Sequence, residues 1–203
     1  MRAHRRFSRG SLAAILLGLS VAIPASAQAG QRDVRIDNFA RVDATYYRGG
    51  QPEGQDYADL AALGVKTVLN LTSDDAQPNE QAIVAQAGMT YLQIPMTTHT
   101  VPTDTQISQF LKIVNNPANH PVYVHCVGGR HRTGVMTAIY RMTHDGWTAD
   151  RAFAEMKQYK FGADFLHAEF KNFVYAYPAQ LARAAAVNAD TTATTKADAK
   201  SVK

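Results

Sequence analysis

Apolar positions along most of this chain follow two spacings, one typical of strands and one typical of helices. Short apolar runs predict buried strands over residues 44–48, 65–71, 89–96 and 121–125. Apolar residues at three- and four-residue intervals predict helices over residues 53–63, 79–87, 104–114, 132–143, 149–159 and 163–177. The alternation predicts an α/β fold in which helices flank a central mixed sheet of about four to five strands.

The two ends of the chain differ from this middle part. Residues 1–27 combine four arginines, an apolar stretch and the small-residue pattern Ala25-Ser26-Ala27, which together predict a signal peptide that is cut before Gln28. The apolar stretch is short for a membrane span, and an uncleaved N-terminal anchor is the alternative interpretation. Residues 28–41 read as a polar lead-in, 42–182 as the globular domain, and 183–203 as a disordered tail rich in Ala, Thr and Lys.

Removing the predicted signal peptide also removes the net positive charge. That segment holds four of the 21 Lys and Arg residues and none of the 17 Asp and Glu residues, which leaves 17 of each. Because the mature chain has no net charge, we expect no nucleic-acid partner. The predicted signal peptide itself implies a periplasmic or secreted location, and we expect no stable membrane association once it is cleaved. A single cysteine gives an exported protein no disulfide framework, so the thiol needs another explanation.

That cysteine lies in the run His125-Cys126-Val127-Gly128-Gly129-Arg130-His131-Arg132-Thr133-Gly134, between a predicted strand and a predicted helix. The paired glycines let the loop backbone turn its N–H groups inward, and the helix N-terminus adds partial positive charge. Arg132 can bind two phosphate oxygens with its planar guanidinium, and these surroundings favour the thiolate of Cys126. The run predicts a phosphate-binding loop over residues 127–132 with Cys126 as the nucleophile.

This run resembles the Cys-x5-Arg-Ser/Thr signature of the protein tyrosine phosphatase superfamily in its dual-specificity form. Asn116–Pro121 and Tyr47-Arg48-Gly49-Gly50-Gln51-Pro52 extend the resemblance to the atypical dual-specificity phosphatases of plants and fungi and their bacterial relatives. The resemblance covers roughly residues 42–177, and it implies that residues 42–182 form a tyrosine/dual-specificity phosphatase-like catalytic domain. It further implies hydrolysis through a phosphocysteine intermediate, with phosphotyrosine proteins or inositol phosphates and pyrophosphates as substrates.

The resemblance also assigns roles around the loop. Cys126 attacks phosphorus and Arg132 binds the phosphoryl oxygens. Thr133 donates a hydrogen bond to the thiolate, unless it is an ordinary first-turn residue. His125 helps to set the thiolate environment from behind the loop, or is a buried structural histidine. Arg48 either braces the loop or forms a buried ion pair.

The general acid is the point at which the sequence departs from the family. The loop of residues 97–103 holds no carboxylate, and Thr98 stands where the family carries its aspartate. Asp104 is the nearest acid and a weak candidate, because its place at a helix start favours a capping or dipole role. His131 and either Asp74 or Asp75 are the further candidates.

Two other kinds of function compete with catalysis of this type. A catalytically weak module could use the loop to recognise a phosphorylated partner. Arsenate reduction needs further cysteines, which the chain lacks. The cationic loop suits a polyphosphorylated small molecule, but Val127 stands where phosphoinositide phosphatases of the superfamily often carry a second basic residue, so phosphorylated proteins remain an alternative. The remaining histidines show no ligand spacing, so we expect neither a metal nor another cofactor.

Overall fold

The computed structural model describes residues 34–201, with side chains described up to residue 186. The predicted signal peptide, residues 1–27, and the first part of the lead-in lie outside the described residues. Within residues 34–201, no helix combines the length and the apolar character needed to cross a bilayer.

The described residues form five strands and six α-helices. The strands are β1 (Ala40–Arg41), β2 (Tyr46–Gly49), β3 (Thr67–Thr72), β4 (Thr90–Met96) and β5 (Val122–His125). The helices are α1 (Asp56–Ala62), α2 (Glu80–Gln86), α3 (Asp104–Val114), α4 (Arg132–His144), α5 (Ala149–Gln158) and α6 (Ala168–Ser201), with a short 3-10 helix at Pro117–Asn119 before β5. The predicted α/β class and mixed sheet are confirmed.

The sheet has the strand order β1-β2-β5-β3-β4. Strand β1 pairs antiparallel with β2, whereas β2, β5, β3 and β4 pair parallel to one another. Every residue of β3 and β5 is buried, as expected for parallel strands that are covered on both faces. Strand β5 is the middle strand, and the predicted nucleophile Cys126 directly follows its carboxyl end.

Alternate residues of each strand pack into two separate cores, one on each face of the sheet. Tyr46, Leu69 and Val124 face a core that is completed by α3, α4, α5 and α6. Tyr47 and Val68 face a second core, which is formed with α1, α2 and Ile36 of the N-terminal segment. Helix α4 is apolar on nearly all sides because it lies inside the larger core.

The N-terminal segment differs from its description as a polar lead-in. Ile36 is buried in the second core, and residues 40–41 form the antiparallel edge strand β1. Strand β1 is absent from the sequence prediction because it has only two residues and no apolar run.

The last helix also differs from its prediction at both ends. It begins at Ala168 rather than at residue 163, and its backbone continues to Ser201 through the segment predicted to be a disordered tail. Alanine and lysine have high helix propensity, which accounts for helical backbone in a segment without a large apolar face.

Candidate active site

Cys126 and Arg132 lie at the two ends of one loop, between the last residue of β5 and the first residue of α4. Both side chains are almost fully buried, with 3% and 4% of their surface exposed. The loop opens onto a cavity of about 350 Å³. The cavity is lined by Cys126, Val127, Gly128, Arg130, His131 and Arg132 of the loop, together with Asp75 and Thr98. The fold thus places the predicted nucleophile and the predicted phosphate-binding arginine at one cavity large enough for a phosphoryl group.

Asp75 occupies both prongs of the Arg132 guanidinium. Nη1 of Arg132 donates to Oδ1 of Asp75 at 2.7 Å, and Nη2 donates to Oδ2 at 2.6 Å. Nη1 also donates to the carbonyl of Met96 at 3.0 Å. The hydrogen bonds from Arg132 lower the pKa of the Asp75 carboxyl below its ordinary value, although partial burial opposes them. A carboxylate therefore binds in the planar, two-pronged manner in which a phosphate would bind.

The back of the loop packs directly against the end of β2. Gly129 has a φ of +65°, and a Cβ on it would lie 2.4 Å from the carbonyl carbon of Gly49. The amide of Gln51 donates to the carbonyl of Val127 at 2.9 Å, and Nδ2 of Asn38 donates to the carbonyl of Gly128 at 2.7 Å. Glycine is required at residue 129 both for its backbone conformation and for the close approach.

Arg48 braces the same loop from beneath. Its side chain is 1% exposed, and Nη2 donates to the carbonyl of Gly129 at 2.6 Å. Its guanidinium lies 4.0 Å from the ring centroid of Tyr159, a distance typical of a cation–π contact. Of the two interpretations of the Tyr47-Arg48 pair, the brace is the one that this geometry supports.

His125 lies behind the nucleophile in a buried polar network that the sequence analysis missed. Oε1 of Glu80 lies 3.0 Å from Nε2 of His125, and both side chains are completely buried. Gln51 and Tyr57 donate hydrogen bonds to the same Oε1 atom of Glu80, at 2.6 and 3.1 Å. Burial acts to raise the pKa of Glu80, but the contacts with His125, Gln51 and Tyr57 outweigh burial and lower it. A glutamate at a helix start reads as an exposed residue, so nothing local in the sequence signals this role.

Thr133 lies in the first turn of α4 with a fully buried side chain. Its hydroxyl has no hydrogen-bond partner among the described residues. The predicted hydrogen bond from Thr133 to the thiolate thus remains a prediction.

Asp104 does not lie at the catalytic cavity. It lines a separate cavity, with Tyr177 and Gln180 of α6, and it occupies the first turn of α3. The cap of that helix is Thr103, whose hydroxyl accepts from the amide of Gln106. This position favours an interaction of Asp104 with the helix dipole over the weak general-acid role, which stays a prediction.

His131 does line the catalytic cavity, but its ring is already engaged. Nε2 lies 3.0 Å from the carbonyl of Phe161, which can only accept, so this nitrogen carries the proton and donates. Burial lowers the pKa of His131 below its ordinary value, so the ring is neutral near pH 7. Among the general-acid candidates from the sequence, Asp75 is a carboxylate that lines the catalytic cavity.

The fold also brings together three side chains that could bind a metal ion and that are not close in sequence as a set. His99, His167 and Glu169 place their ligand atoms within 4.8 Å of one another. The sequence analysis found no ligand spacing for His167, because residues 99 and 167 meet only through the packing of α6 against the loop of residues 97–103.

Comparison with known proteins finds phosphatases that are similar to this chain. A family model described as a DSP-PTPase phosphatase fused to NAD+ kinase matches residues 27–174. Dual specificity protein phosphatase TpbA of Pseudomonas aeruginosa is 33% identical over 139 residues, which cover 68% of this chain and 61% of TpbA. Inositol diphosphatase SIW14 of Saccharomyces cerevisiae is 27% identical over 130 residues, which cover 62% of this chain and 46% of SIW14. The chain thus spans less than two thirds of either relative.

Two solved structures share the fold. The core catalytic domain of the PP-IP phosphatase SIW14 from S. cerevisiae, in complex with citrate, aligns with a TM-score of 0.63 and 26% identity and covers 75% of this chain and 93% of that domain. A cysteine-to-serine variant of P. aeruginosa TpbA, in complex with phosphotyrosine, aligns with a TM-score of 0.58 and 31% identity and covers 75% of this chain and 90% of that protein.

Proposed function

Because this chain belongs to the DSP-PTPase phosphatase family, we propose that it is a cysteine-dependent phosphatase with a phosphocysteine intermediate. The observation that carries the proposal is the single cavity lined by both Cys126 and Arg132. Its second support is the bidentate ion pair of Arg132, in which the guanidinium donates to both oxygens of the Asp75 carboxylate.

The proposed reaction has two displacements at phosphorus. The thiolate of Cys126 attacks, an S–P bond forms, and the P–O bond to the leaving group breaks with its electron pair on the leaving oxygen. Water then attacks the phosphocysteine, which releases phosphate and returns the electron pair to sulfur as thiolate. Arg132 and the backbone N–H groups of the loop stabilise the charge on the equatorial oxygens in both steps.

We infer that Asp75 supplies the proton to the leaving oxygen. In the substrate-free structure Asp75 is ionised and paired with Arg132. A phosphate dianion that takes the guanidinium removes this partner and brings negative charge close to the carboxylate, and both effects raise the pKa of Asp75. Substrate binding would thereby convert the carboxylate into the acid form that the first displacement needs.

The nucleophile can be tested by substitution. Cys126→Ser should abolish hydrolysis of an aryl phosphate while the protein still binds vanadate, since the donors of the loop are unchanged. Asp104→Asn is the matched control, because Asp104 lines a different cavity, and it should retain wild-type turnover. Turnover by Cys126→Ser near the wild-type rate would overturn the mechanism. Vanadate binding by a wild-type protein that shows no turnover would instead support a phosphate-recognition module.

For the substrate class, we propose a phosphotyrosine-bearing protein rather than an inositol pyrophosphate. The cations around the loop are already compensated, since Asp37 pairs with both Arg130 and Lys160 and Asp75 pairs with Arg132. A neighbouring cavity of about 520 Å³ is lined by Glu53 and Asp56 beside the already paired Asp37 and Asp75. Arg35 is the one cation in the same lining, so the wall stays acidic. Such a wall disfavours a second cluster of phosphates and favours basic residues beside a phosphotyrosine.

A side-by-side turnover assay separates these substrates. Phosphotyrosine peptides with Lys or Arg next to the phosphotyrosine should show a higher kcat/KM than matched peptides with Glu, and both should exceed an inositol pyrophosphate. The double variant Glu53→Gln, Asp56→Asn should reduce the difference in kcat/KM between the basic and the acidic peptide. A preference for the inositol pyrophosphate would overturn the substrate assignment and leave the cysteine mechanism untouched.

We also propose that the protein is exported and acts in the periplasm or outside the cell. The support is the arginine-rich, apolar and Ala-x-Ala order of residues 1–27. Mass spectrometry of the native protein should find a chain that begins near Gln28 in the extracytoplasmic fraction. An intact chain from Met1 in the cytosol would contradict export, and an intact chain in the membrane fraction would indicate a retained anchor.

A further inference from the structure

His99 meets a histidine and a glutamate from the start of α6, His167 and Glu169, beside the catalytic cavity. His99 lies on the loop between β4 and α3, His167 immediately precedes α6, and Glu169 lies in the first turn of α6. We propose that His99, His167 and Glu169 form a binding site for a transition-metal ion of the Zn²⁺ class. The proposal stands apart from the phosphatase mechanism, which uses none of the three residues.

The spacing of the ligand atoms suits a shared cation better than hydrogen bonds. Oε1 of Glu169 lies 3.4 Å from Nδ1 of His167 and 3.6 Å from Nδ1 of His99. Good N–H···O hydrogen bonds have donor–acceptor distances of about 2.7–3.2 Å, so both contacts are long. Two ligands of a tetrahedral Zn²⁺ with bonds of about 2.0–2.1 Å are separated by roughly 3.4 Å. The two measured distances are close to the edges of such a tetrahedron.

The types of donor atom indicate which ions fit. Two imidazole nitrogens and one carboxylate oxygen suit Zn²⁺ and its neighbours Co²⁺, Ni²⁺ and Cu²⁺. Mg²⁺ and Ca²⁺ prefer a full set of oxygen ligands, which this group does not offer. Three protein ligands leave a fourth tetrahedral position for water.

The surroundings give the site access to solvent and a link to the cavity. The side chain of His99 is 72% exposed, so an ion can enter from solvent. The ring of His167 packs on that of His131, with centroids 3.6 Å apart, and His131 lines the catalytic cavity. Thr98, the neighbour of His99, lines the same cavity. A bound ion would therefore join the loop of residues 97–103 to the start of α6 at the rim of the cavity.

The test measures metal binding in the full chain with Cys126→Ser, because the thiol of Cys126 would itself bind Zn²⁺ or Co²⁺. Co²⁺ is titrated by its visible absorption, and Zn²⁺ by competition with a chromogenic chelator. We expect one ion per chain, and adding His99→Ala or Glu169→Gln should each weaken binding at least about tenfold. His144→Ala is the control, since His144 is a half-exposed histidine that pairs with Asp145 elsewhere.

A second readout reports on the loop itself. Zn²⁺ should slow amide hydrogen exchange over residues 97–103 in the Cys126→Ser protein, and it should have no such effect once His99→Ala is added. Because the side chain of His99 is exposed, this variant should keep the fold, and its thermal unfolding midpoint is measured as the check. Metal affinity that is the same with and without His99→Ala and Glu169→Gln, or loop exchange that Zn²⁺ leaves unchanged, would overturn the site.

Discussion

Asp75 is the residue whose position most changes the picture of catalysis. The sequence offered it only as one of several acids, because the family's usual aspartate position holds Thr98. The structure places its carboxylate on both prongs of Arg132, at the cavity of Cys126. In the free protein this side chain thus occupies both prongs of the guanidinium that the proposed mechanism assigns to phosphate, and the same mechanism makes it the proton donor to the leaving group.

The proton-donor role of Asp75 can be tested by leaving-group dependence. Asp75→Asn should slow the hydrolysis of esters with poor leaving groups by roughly a hundredfold or more, because they need protonation as they depart. Esters of acidic phenols should be affected much less. Asp104→Asn, the matched control, should leave both rates unchanged. Equal losses for good and poor leaving groups in Asp75→Asn would show that the residue only positions Arg132.

The buried Glu80 predicts a pH dependence of stability. Its pKa is lowered in the folded state, so the stabilisation it provides is present above its unfolded pKa of about 4.3 and is lost as the pH falls through the folded value. Glu80→Gln should reduce the free energy of unfolding at pH 7 by about 1–3 kcal/mol, because the variant weakens a buried polar network.

Denaturant unfolding at several pH values measures this effect. The difference between wild type and Glu80→Gln should shrink as the pH falls below the unfolded pKa of about 4.3, because the unfolded chain takes up a proton before the folded protein does. Glu53→Gln, at an exposed glutamate, serves as the control and should follow the wild type. A difference that is constant over the whole pH range would argue against an ionised Glu80 beside His125.

At the scale of elements, the phosphate-binding loop depends on contact with the end of β2. The run Tyr47-Arg48-Gly49-Gly50-Gln51-Pro52 is far from the loop in sequence but lies directly behind it in the parallel pairing of β2 with β5. Arg48 donates to a loop carbonyl, and the missing Cβ of Gly50 leaves room for the carbonyl oxygen of Val127. Two of the motifs that carried the family resemblance, the Cys126 run and the Tyr47–Pro52 run, therefore form one structural unit.

This packing predicts a marked difference between two adjacent glycines. Gly129→Ala should lower the free energy of unfolding by about 1–3 kcal/mol through backbone strain and overlap with Gly49. It should also lower kcat by about a hundredfold, since a shift of about 1 Å in the loop is enough for that loss. Gly128→Ala is the control for stability, because a Cβ there meets only the Arg130 side chain at ordinary distances. Equal stability of the two variants in denaturant unfolding would contradict the packing argument.

At the scale of the whole molecule, the charge pattern separates the catalytic cavity from its surroundings. The loop is cationic in sequence, yet Asp37 and Asp75 compensate it, and the neighbouring cavity adds Glu53 and Asp56. The preference for basic peptides should therefore weaken as salt is raised, since a Debye length of about 10 Å at 0.1 M screens exposed charges. Peptide kcat/KM measured between low and high salt tests this, and a preference that salt does not alter would contradict an electrostatic origin.

The sequence predicts the architecture well because each long element carries its own periodic signal. Helix α3 has the predicted bounds, and the strand, loop and helix around Cys126 lie where the motif places them. The edge strand β1 and the buried Ile36 were missed, since both are stabilised by contacts with distant parts of the chain. Glu80 and the ion pair of Asp75 were missed for the same reason, because a tertiary contact leaves no periodic trace in the sequence.

The central claim is that Cys126 becomes covalently phosphorylated during turnover, and its most direct test is to trap that intermediate. The protein is mixed with a phosphotyrosine peptide, quenched within one turnover and digested, and the peptides are identified by mass spectrometry. We predict that the peptide containing Cys126 carries one phosphoryl group in the wild type and in Asp75→Asn, and carries none in Cys126→Ser. Steady turnover with an unmodified Cys126 peptide at every quench time, or a phosphoryl group on another residue, would contradict the account.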